Sequence, residues 1–334
     1  MRITVIGSHM HYNLEDYSVR ALRNLGHDVQ FVGYNEINGR IYGDLLRMIT
    51  TRSAVVRKIS IPFWLKQINA SYRNAMTTFN PDVVLSIKGE SVLPETLSYI
   101  SSNIGAIRTL WYPDDPRFFN SLAKRVAPFY DHVFSYSENG TEMYRQIGIE
   151  AVHRLPFGCN EKVHYRENWN GEPLDRVIFV GTFTLKRYRF VKNLIKKGVE
   201  IDLIGKYWKN FFPSNTISES AYGPSLTKLF QRYKLSLNIH NDIQYGPNMR
   251  TFEVTGSGGT LLTDMAEDMD KFFIEGKEVF MYRDLEELTK LINGKISEEI
   301  ATNQVAKNGY RRAHDSYTYE KVMGTFLSSV SGNT

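Results

Sequence analysis

Residues 237–264 read LNIHNDIQYGPNMRTFEVTGSGGTLLTD and are the most informative part of the chain. The apolar run Leu235–Ile239 ends in polar residues, and a loop with Gly246 and Pro247 follows it. The pattern then predicts a short helix, a turn rich in glycine and a second apolar run at Thr260–Thr263. A strand, a polar loop, a helix and a strand in this order predict a parallel α/β sheet with a polar carboxyl edge.

The predicted short helix carries charged side chains at the edge where open α/β sheets bind their ligands. Asn248, Arg250 and Glu253 lie on this one segment. A guanidinium group suits a phosphate, and a carboxylate accepts hydrogen bonds from hydroxyl groups. We therefore expect this edge to bind a ligand that contains both phosphate and sugar hydroxyl groups.

Both halves of the chain alternate strand and helix patterns. In the first half, apolar runs predict strands at Ile3–Ile6, Val29–Val32, Val83–Ile87, Ile107–Trp111 and His132–Tyr136. In the second half, they predict strands at Arg176–Val180, Ile201–Ile204, Leu235–Ile239, Thr260–Leu262 and Val279–Tyr282. Continuous apolar runs of this kind are typical of buried parallel strands.

A polar segment at 154–171 separates the two halves and predicts a hinge. The sequence therefore predicts an α/β protein with two Rossmann-like, doubly wound parallel-sheet domains that face a cleft. We place the first domain at residues 1–160 and the second at 161–318. We expect residues 319–334 to form a last helix that packs back on the first domain.

The composition limits the class of protein. A chain of 334 residues is long for one core, and 42% hydrophobic residues can fill two. The one cysteine, Cys159, excludes an internal disulfide and a cysteine zinc site, and we expect its thiol to be inert. No signal peptide and no run of roughly 18 apolar residues is present. These features predict a cytoplasmic protein.

The formal net charge of +5 favours an anionic partner without identifying it. Basic residues cluster at Arg40–Lys66 and at Lys186–Lys197. Solvated helix faces are the simpler interpretation of both clusters. The first cluster also contains Phe63 and Trp64, so docking to an acceptor or to the inner face of the membrane is its alternative interpretation.

Three segments of the second half carry a resemblance to a known family. They are VGTFTLKRYRFVKNL at 180–194, YKLSLNIH at 233–240 and NMRTFEVTGSGGTLLTD at 248–264. WYPDDP at 111–116 and LPFGCN at 155–160 are weaker matches. With these segments the chain resembles glycosyltransferases of the two-domain GT-B fold, closest to the group with the CgeB-type spore maturation proteins.

The resemblance implies an acceptor domain in the first half and a nucleotide-sugar donor domain in the second. Gly181 would let the backbone approach a diphosphate, and Thr182 would donate hydrogen bonds to it. Arg187 and Lys234 would clamp the diphosphate as it leaves, with Arg250 doing the same from the opposite wall.

The same resemblance assigns the remaining donor-side residues. Glu253 would accept hydrogen bonds from the ribose hydroxyls, and Asn248 would contact the sugar or the phosphate. We expect His240 to support the donor loop. Taken alone, Arg187 and Lys234 would more simply be surface cations, and only the full motif favours their functional interpretation.

The sequence departs from the family pattern at one position. Many retaining GT-B enzymes have two glutamates with seven residues between them, and the position that precedes Glu253 at this spacing is Tyr245. The contact with the donor sugar must therefore differ from that class. Neither the stereochemical course nor the donor sugar follows from the resemblance.

The candidates for acid–base chemistry lie in the first half. Asp114 follows a predicted strand and is our candidate for the base or for the group that orients the acceptor, although a turn stabilised by Asp114 and Asp115 is an equally good interpretation. His11, with His9 beside it, is the alternative base. Glu138 would contact the acceptor or, more simply, help to cap a helix. We expect no metal site, because an Asp-x-Asp motif is absent and basic side chains can stabilise the leaving group.

The sequence thus predicts a metal-independent glycosyltransferase of hexosyltransferase type that uses a nucleoside-diphosphate sugar and needs no cofactor beyond this co-substrate. UDP is the default nucleotide, with GDP, ADP and dTDP open. The acceptor is a glycan, a lipid-linked glycan, a protein or DNA. The alternatives are a nucleotide-sugar epimerase or hydrolase on the same fold, and a non-catalytic assembly protein that binds nucleotide sugars.

Overall fold

The computed structural model describes residues 1–34, 54–114, 118–241, 245–297 and 299–332. Asp115 and residues 40–53 of the basic cluster Arg40–Lys66 lie outside these residues. The chain divides into two compact units. The first comprises Met1–Leu155 together with the chain from Met323 onward, and the second comprises Pro156–Val322.

The first unit contains a six-stranded sheet in the order β2-β1-β3-β4-β5-β6, and every neighbouring pair of strands is parallel. Its strands are β1 Arg2–Gly7, β2 Asp28–Gly33, β3 Val83–Ile87, β4 Ile107–Tyr112, β5 His132–Ser135 and β6 Val152–Arg154. The strand order reverses between β1 and β3, so their carboxyl ends form the crevice where doubly wound sheets bind ligands.

The helices assigned to the first unit connect these strands. They are α1 Leu14–Asn24, α2 Ala54–Phe79, α3 Pro94–Tyr99, α4 Lys124–Val126 and α5 Glu138–Gln146. Asn13 caps α1 by accepting a hydrogen bond from the Asp16 amide at 2.9 Å. This cap fixes the point at which the chain leaves the β1 loop and enters the helix.

The second unit contains a second six-stranded parallel sheet, in the order β12-β11-β10-β7-β8-β9. Its strands are β7 Leu174–Val180, β8 Ile201–Ile204, β9 Thr216–Ser218, β10 Tyr233–Asn238, β11 Leu261–Asp264 and β12 Phe280–Tyr282. Here the order reverses between β7 and β10. The carboxyl ends of these two strands are therefore the expected ligand edge.

The later helices begin with α6 Leu185–Lys196, α7 Gly223–Arg232, α8 Met249–Gly256 and α9 Met269–Phe272. They continue with α10 Leu285–Ser297, α11 Glu299–Ser316 and α12 Tyr319–Val330. The last helix starts at Tyr319 as the sequence predicts, but it ends at Val330, before the predicted end at residue 334. Within the first unit its Phe326 packs on Phe134 of β5, with ring centroids 5.1 Å apart.

Each sheet is the centre of its own apolar core. The four residues Val177–Val180 of β7 and all of β8 are buried, as are all residues of β3. These strands are covered on both faces, which explains why their sequences are largely apolar, with Asp202 and Ser86 as buried polar exceptions, instead of alternating regularly with polar residues. The predicted architecture of two doubly wound parallel sheets is confirmed. Among the described residues, no helix combines the length and the apolar character needed to cross a bilayer.

Candidate functional site

The loops after β7 and β8 are tied together at the ligand edge of the second sheet. The indole Nε1 of Trp208 donates a hydrogen bond to the Gly181 carbonyl oxygen at 2.7 Å. Gly205 has a φ of +147°, and a Cβ at this position would collide with the same carbonyl group. Only glycine permits this approach of the two loops. The residue after Gly181, Thr182, is exposed at the edge.

Arg187 lies in the first turn of α6 and reaches across to the end of β10. Thr184 caps this helix by accepting a hydrogen bond from the Arg187 amide at 3.3 Å. The guanidinium donates to the Ile239 carbonyl oxygen from Nε at 3.0 Å and from Nη2 at 2.9 Å, and to the Thr182 carbonyl oxygen from Nη1 at 3.0 Å. These acceptors are neutral main-chain oxygens. They orient the guanidinium without cancelling its charge.

Lys186, the neighbour of Arg187, contacts the same segment of β10. Its Nζ donates to the His240 carbonyl oxygen at 2.8 Å and lies 3.9 Å from Asp264 Oδ2. The first turn of α6 contains no acidic residue. Two cations and a helix N-terminus therefore lie together at the switch point between β7 and β10, an arrangement that attracts anions.

His240 and Asp264 form a buried pair at the ends of β10 and β11. Nδ1 of His240 lies 2.6 Å from Asp264 Oδ1, and the His240 amide donates to both carboxylate oxygens at 3.0 Å. Burial acts to raise the pKa of Asp264, but the interactions with His240 and the Lys186 ammonium group outweigh it, and the pKa is lowered. Asp264 is therefore an anion at neutral pH.

Asn248 begins α8, and its side chain makes two kinds of contact. As the N-cap it accepts a hydrogen bond from the Thr251 amide at 3.2 Å. Its amide group also pairs reciprocally with that of Asn238 on β10, with both N···O distances at 3.2 Å. These bonds occupy the Asn248 side chain within the protein and fix where α8 starts.

Arg250 and Glu253 lie one turn apart on α8 and form an ion pair. Arg250 Nη1 lies 2.6 Å from Glu253 Oε2, and Glu253 is only 3% exposed. Burial raises the pKa of Glu253, and the charge and hydrogen bond of Arg250 offset part of this rise. The Arg250 guanidinium also lies over the Phe230 ring of α7, 5.4 Å from its centroid.

Lys234 does not lie with the other predicted donor-side residues. It is the second residue of β10, at the amino end of the strand, whereas Arg187 and His240 lie at the carboxyl end. Its Nζ forms an ion pair with Asp175 at 2.7 Å. The expectation that Lys234 clamps a diphosphate fails on this geometry, because one strand length separates the two edges of the sheet.

The glycine turn after α8 has a packing explanation. Gly258 has a φ of +70°, and a Cβ there would lie 2.8 Å from Arg166 Cδ. A Cβ on Gly256 would collide with Cys159, and one on Gly259 would lie 3.0 Å from the Phe230 backbone. The turn therefore needs glycine for close contacts with its own chain. Burial raises the pKa of the Cys159 thiol to about 12, which agrees with an inert thiol.

In the first unit, Asp114 pairs with Lys88 at the carboxyl edge of the sheet, with Lys88 Nζ 2.6 Å from Asp114 Oδ2. Lys88 has a φ of +68°, a conformation that a lysine rarely adopts. Glu15 is buried at the start of α1 and accepts a hydrogen bond from the Ser8 amide at 3.2 Å. Burial raises the pKa of Glu15, while Lys88 acts in the opposite direction.

The remaining first-unit candidates surround the same sheet. His9 and His11 follow β1 with ring centroids 5.9 Å apart, and His9 also packs on Phe31. Glu138 is the first residue of α5 and lies 3.6 Å from Arg154, while the cap of this helix is Ser137. Across the described part of the chain, no group of three or more His, Cys, Asp or Glu side chains could hold a metal ion.

The sequence missed three residues that the structure places among the candidates, namely Lys186, Asp264 and Lys88. Lys186 adjoins Arg187 in the quoted motif, and Asp264 ends the other quoted motif, so both had a usable signal. Asp264 also lies at the carboxyl end of a strand, where parallel sheets bind their ligands. Lys88 is notable for its positive φ, and the sequence does not show that a lysine has this backbone conformation.

Comparison with solved structures identifies the class of fold. Anabaena HepE, solved in complex with UDP-glucose, superimposes with a TM-score of 0.68 at 11% identity over 99% of this chain and all of that chain. Sucrose-phosphate synthase from Thermosynechococcus elongatus gives 0.69 at 10% identity over both complete chains. The lipopolysaccharide outer core galactosyltransferase WaaB gives 0.60 at 12% identity, again over both complete chains. This chain therefore has the GT-B fold of glycosyltransferases.

Sequence comparison agrees for the second half of the chain. Residues 186–328 match the model of a glycosyl transferase-like family. This match includes Arg187, Arg250 and Glu253. No curated protein matches the chain by sequence.

Proposed function

We propose that this protein is a glycosyltransferase that moves a hexosyl group from a nucleoside-diphosphate sugar, by default a UDP-sugar, to an acceptor hydroxyl. The observation that carries the proposal is the gathering of Arg187 and Lys186 at the N-terminus of α6, beside the glycine loop at the β7–β10 switch point. HepE has the same fold and was solved with UDP and with UDP-glucose, which supports UDP as the nucleotide.

The cationic pair can serve the diphosphate of the donor. In the present contacts Lys186 and Arg187 donate to main-chain carbonyl oxygens, which a diphosphate can replace with much stronger charge-assisted bonds. The exposed Thr182 lies on the same loop. As the glycosidic bond breaks, negative charge grows on the departing diphosphate, and fixed cations stabilise it at that moment. We propose that these groups make a metal ion unnecessary.

Glu253 is the proposed ribose ligand. Its Oε2 faces Arg250, and a carboxylate has lone pairs for further donors on both oxygens. The pair with Arg250 favours the ionised form, which is the better acceptor for two ribose hydroxyls. Arg250 thus acts on the carboxylate, and it can also face the phosphate. Asn248 holds the start of the helix that carries both residues.

Asp114 remains the proposed acceptor-side residue, with His11 as the alternative base. The Asp114 carboxylate is held by an ion pair with Lys88 at 2.6 Å, which fixes its position at the edge of the first sheet. From there Asp114 can orient an acceptor hydroxyl by accepting its hydrogen bond. The acceptor is a glycan, a lipid-linked glycan, a protein or DNA. We also propose that, among glycosyltransferases, this protein is related to the CgeB-type group.

Isothermal titration of the purified protein with UDP-glucose, UDP, GDP and ADP tests the proposed donor. We expect UDP and UDP-glucose to bind and the purine nucleotides to bind at least about tenfold more weakly. Titrations repeated with EDTA should give the same affinity. Release of UDP that depends on an added acceptor supports transfer, whereas release without acceptor supports a hydrolase, and binding without release supports an assembly protein.

A further inference from the structure

The His240 side chain connects three elements at the ligand edge of the second sheet. It follows β10, pairs with Asp264 at the end of β11, and contacts Asn248, the N-cap residue of α8. The distance from His240 Nε2 to the Asn248 main-chain nitrogen is 3.2 Å, and His240 is only 3% exposed. A buried imidazole with both ring nitrogens engaged has little freedom to rotate.

These two contacts determine the protonation state of the ring. The Asn248 amide is a donor only, so His240 Nε2 must present its lone pair. The hydrogen of a neutral imidazole is then on Nδ1, where it donates to Asp264 Oδ1 at 2.6 Å. The Asp264 carboxylate is already fixed as an acceptor, because both of its oxygens also receive the His240 amide hydrogen at 3.0 Å. The arrangement thus requires one tautomer of the neutral ring.

We propose that the neutral His240 imidazole, held in this tautomer by Asp264, is a positioning residue for α8 and that protonation of Nε2 releases the start of this helix. The proposal rests on the proposed function, because α8 carries Arg250 and Glu253. In the neutral state the Asn248 amide is satisfied and the donor residues are in place. An Nε2 hydrogen would face the Asn248 hydrogen, and the bond that holds the helix start would be lost.

The charged groups around His240 act in opposite directions on its protonation. The negative charge of Asp264 favours a protonated His240. The ammonium group of Lys186 disfavours it, because this group donates a hydrogen bond to the His240 carbonyl oxygen and lies 3.9 Å from Asp264 Oδ2. Arg187 is a second nearby cation, because its guanidinium group donates hydrogen bonds to the Ile239 carbonyl oxygen. Tyr282 donates its hydroxyl hydrogen to the Asn238 carbonyl oxygen at 3.0 Å and is neutral, since burial raises its pKa well above the usual value.

The test follows UDP-glucose binding against pH in the wild type and two variants. UDP-glucose is the suitable probe because UDP itself has a terminal phosphate that titrates near pH 6. Gln in His240→Gln can place a carbonyl oxygen about where Nε2 lies, which retains an acceptor for Asn248 and removes the titration. Asn in His240→Asn is shorter and keeps only the contact with Asp264. His132→Gln, in the first unit, is the control for loss of an unrelated histidine.

As the pH is lowered from about 8, we expect the wild type and the His132→Gln control to lose UDP-glucose affinity, by up to about tenfold per pH unit once Nε2 takes up a proton. The His240→Gln protein should bind somewhat more weakly than the wild type at pH 8 but show a flat pH profile. His240→Asn should bind about tenfold more weakly than His240→Gln at every pH. Equal affinity of the two variants, or an unchanged slope in His240→Gln, overturns the proposal.

Amide hydrogen exchange of the free protein tests the same proposal without a nucleotide. We expect the amides of Asn248 and Thr251 to lose protection on acidification in the wild type, after correction for intrinsic exchange rates, and to keep it in His240→Gln. Protection that is independent of pH in both proteins contradicts the positioning role. If UDP-glucose binds to no form of the protein while the exchange behaves as expected, the proposed donor is wrong and the helix positioning stands.

Discussion

The carboxylate of Glu253 is almost fully buried, and its Oε2 lies 2.6 Å from Nη1 of Arg250 one helical turn away. A buried carboxylate without a partner would be costly, and the guanidinium reduces that cost. The pair therefore favours the ionised carboxylate, against the burial that raises the pKa of Glu253. This relationship makes the proposed ribose contact chemically reasonable in a side chain that solvent hardly reaches.

Replacing Glu253 with Gln tests this contact with little change in shape. Gln keeps the volume but removes the negative charge, so hydrogen bonds from two hydroxyls weaken. We expect UDP affinity, measured by isothermal titration, to fall by about tenfold to a hundredfold. Circular dichroism should show an intact fold. Unchanged UDP affinity would remove Glu253 from the donor site.

Replacing Arg187 with Ala removes the proposed stabilisation of the departing diphosphate. Turnover of UDP-glucose should fall by on the order of ten- to a thousandfold, with a larger effect on kcat than on KM. Arg189→Ala is the matched control, because Arg189 is an exposed arginine on the same helix. The control should retain turnover within about twofold. Similar turnover in both variants would show that Arg187 does not stabilise the departing diphosphate.

The donor site shows how far the sequence could predict this structure. Strand positions follow from apolar runs because both sheets are covered on two faces, and the residues after β7 and β10 could therefore be placed at one edge. Lys234 was placed wrongly because only the motif match assigned it to the ligand edge, although the predicted strand Leu235–Ile239 puts it at the amino end. The pairs His240–Asp264 and Lys88–Asp114 join residues far apart in the chain, and no local pattern predicts such contacts.

On the acceptor side, Asp114→Asn keeps the shape of the side chain and removes its charge. If Asp114 orients or deprotonates the acceptor, transfer should fall by about a hundredfold or more while UDP affinity stays the same. Rates of UDP release with an acceptor, measured next to the UDP binding isotherm, separate the two effects. An Asp114→Asn protein with full activity would direct attention to His11.

Because of His164, we expect the stability of the second unit to decrease at acidic pH. The side chain is buried, and burial, with the charges of Arg250 and His314, lowers its pKa to about 3. An unfolded histidine titrates near 6.5, so the unfolded chain binds a proton that the folded chain does not in the range between these values. The contribution of this residue to stability is complete above about pH 6.5 and is lost as the pH falls towards 3.

Urea unfolding at several pH values checks this expectation. The free energy of unfolding should decrease on acidification below about pH 6.5, and His164→Gln should show a shallower decrease over that range. The His164→Gln protein should be less stable than the wild type at pH 8, where the neutral imidazole accepts the Asn160 amide at 2.9 Å. Parallel pH curves for the two proteins would show that His164 does not carry the effect.

The most direct test of the account is a crystal structure of the protein grown with UDP-glucose. The account predicts the diphosphate at the start of α6, within hydrogen-bonding distance of Arg187 and the Thr182 loop, and the ribose hydroxyls on Glu253. A nucleotide bound at another edge of the second sheet, or crystals that remain without nucleotide at millimolar UDP-glucose, would contradict it.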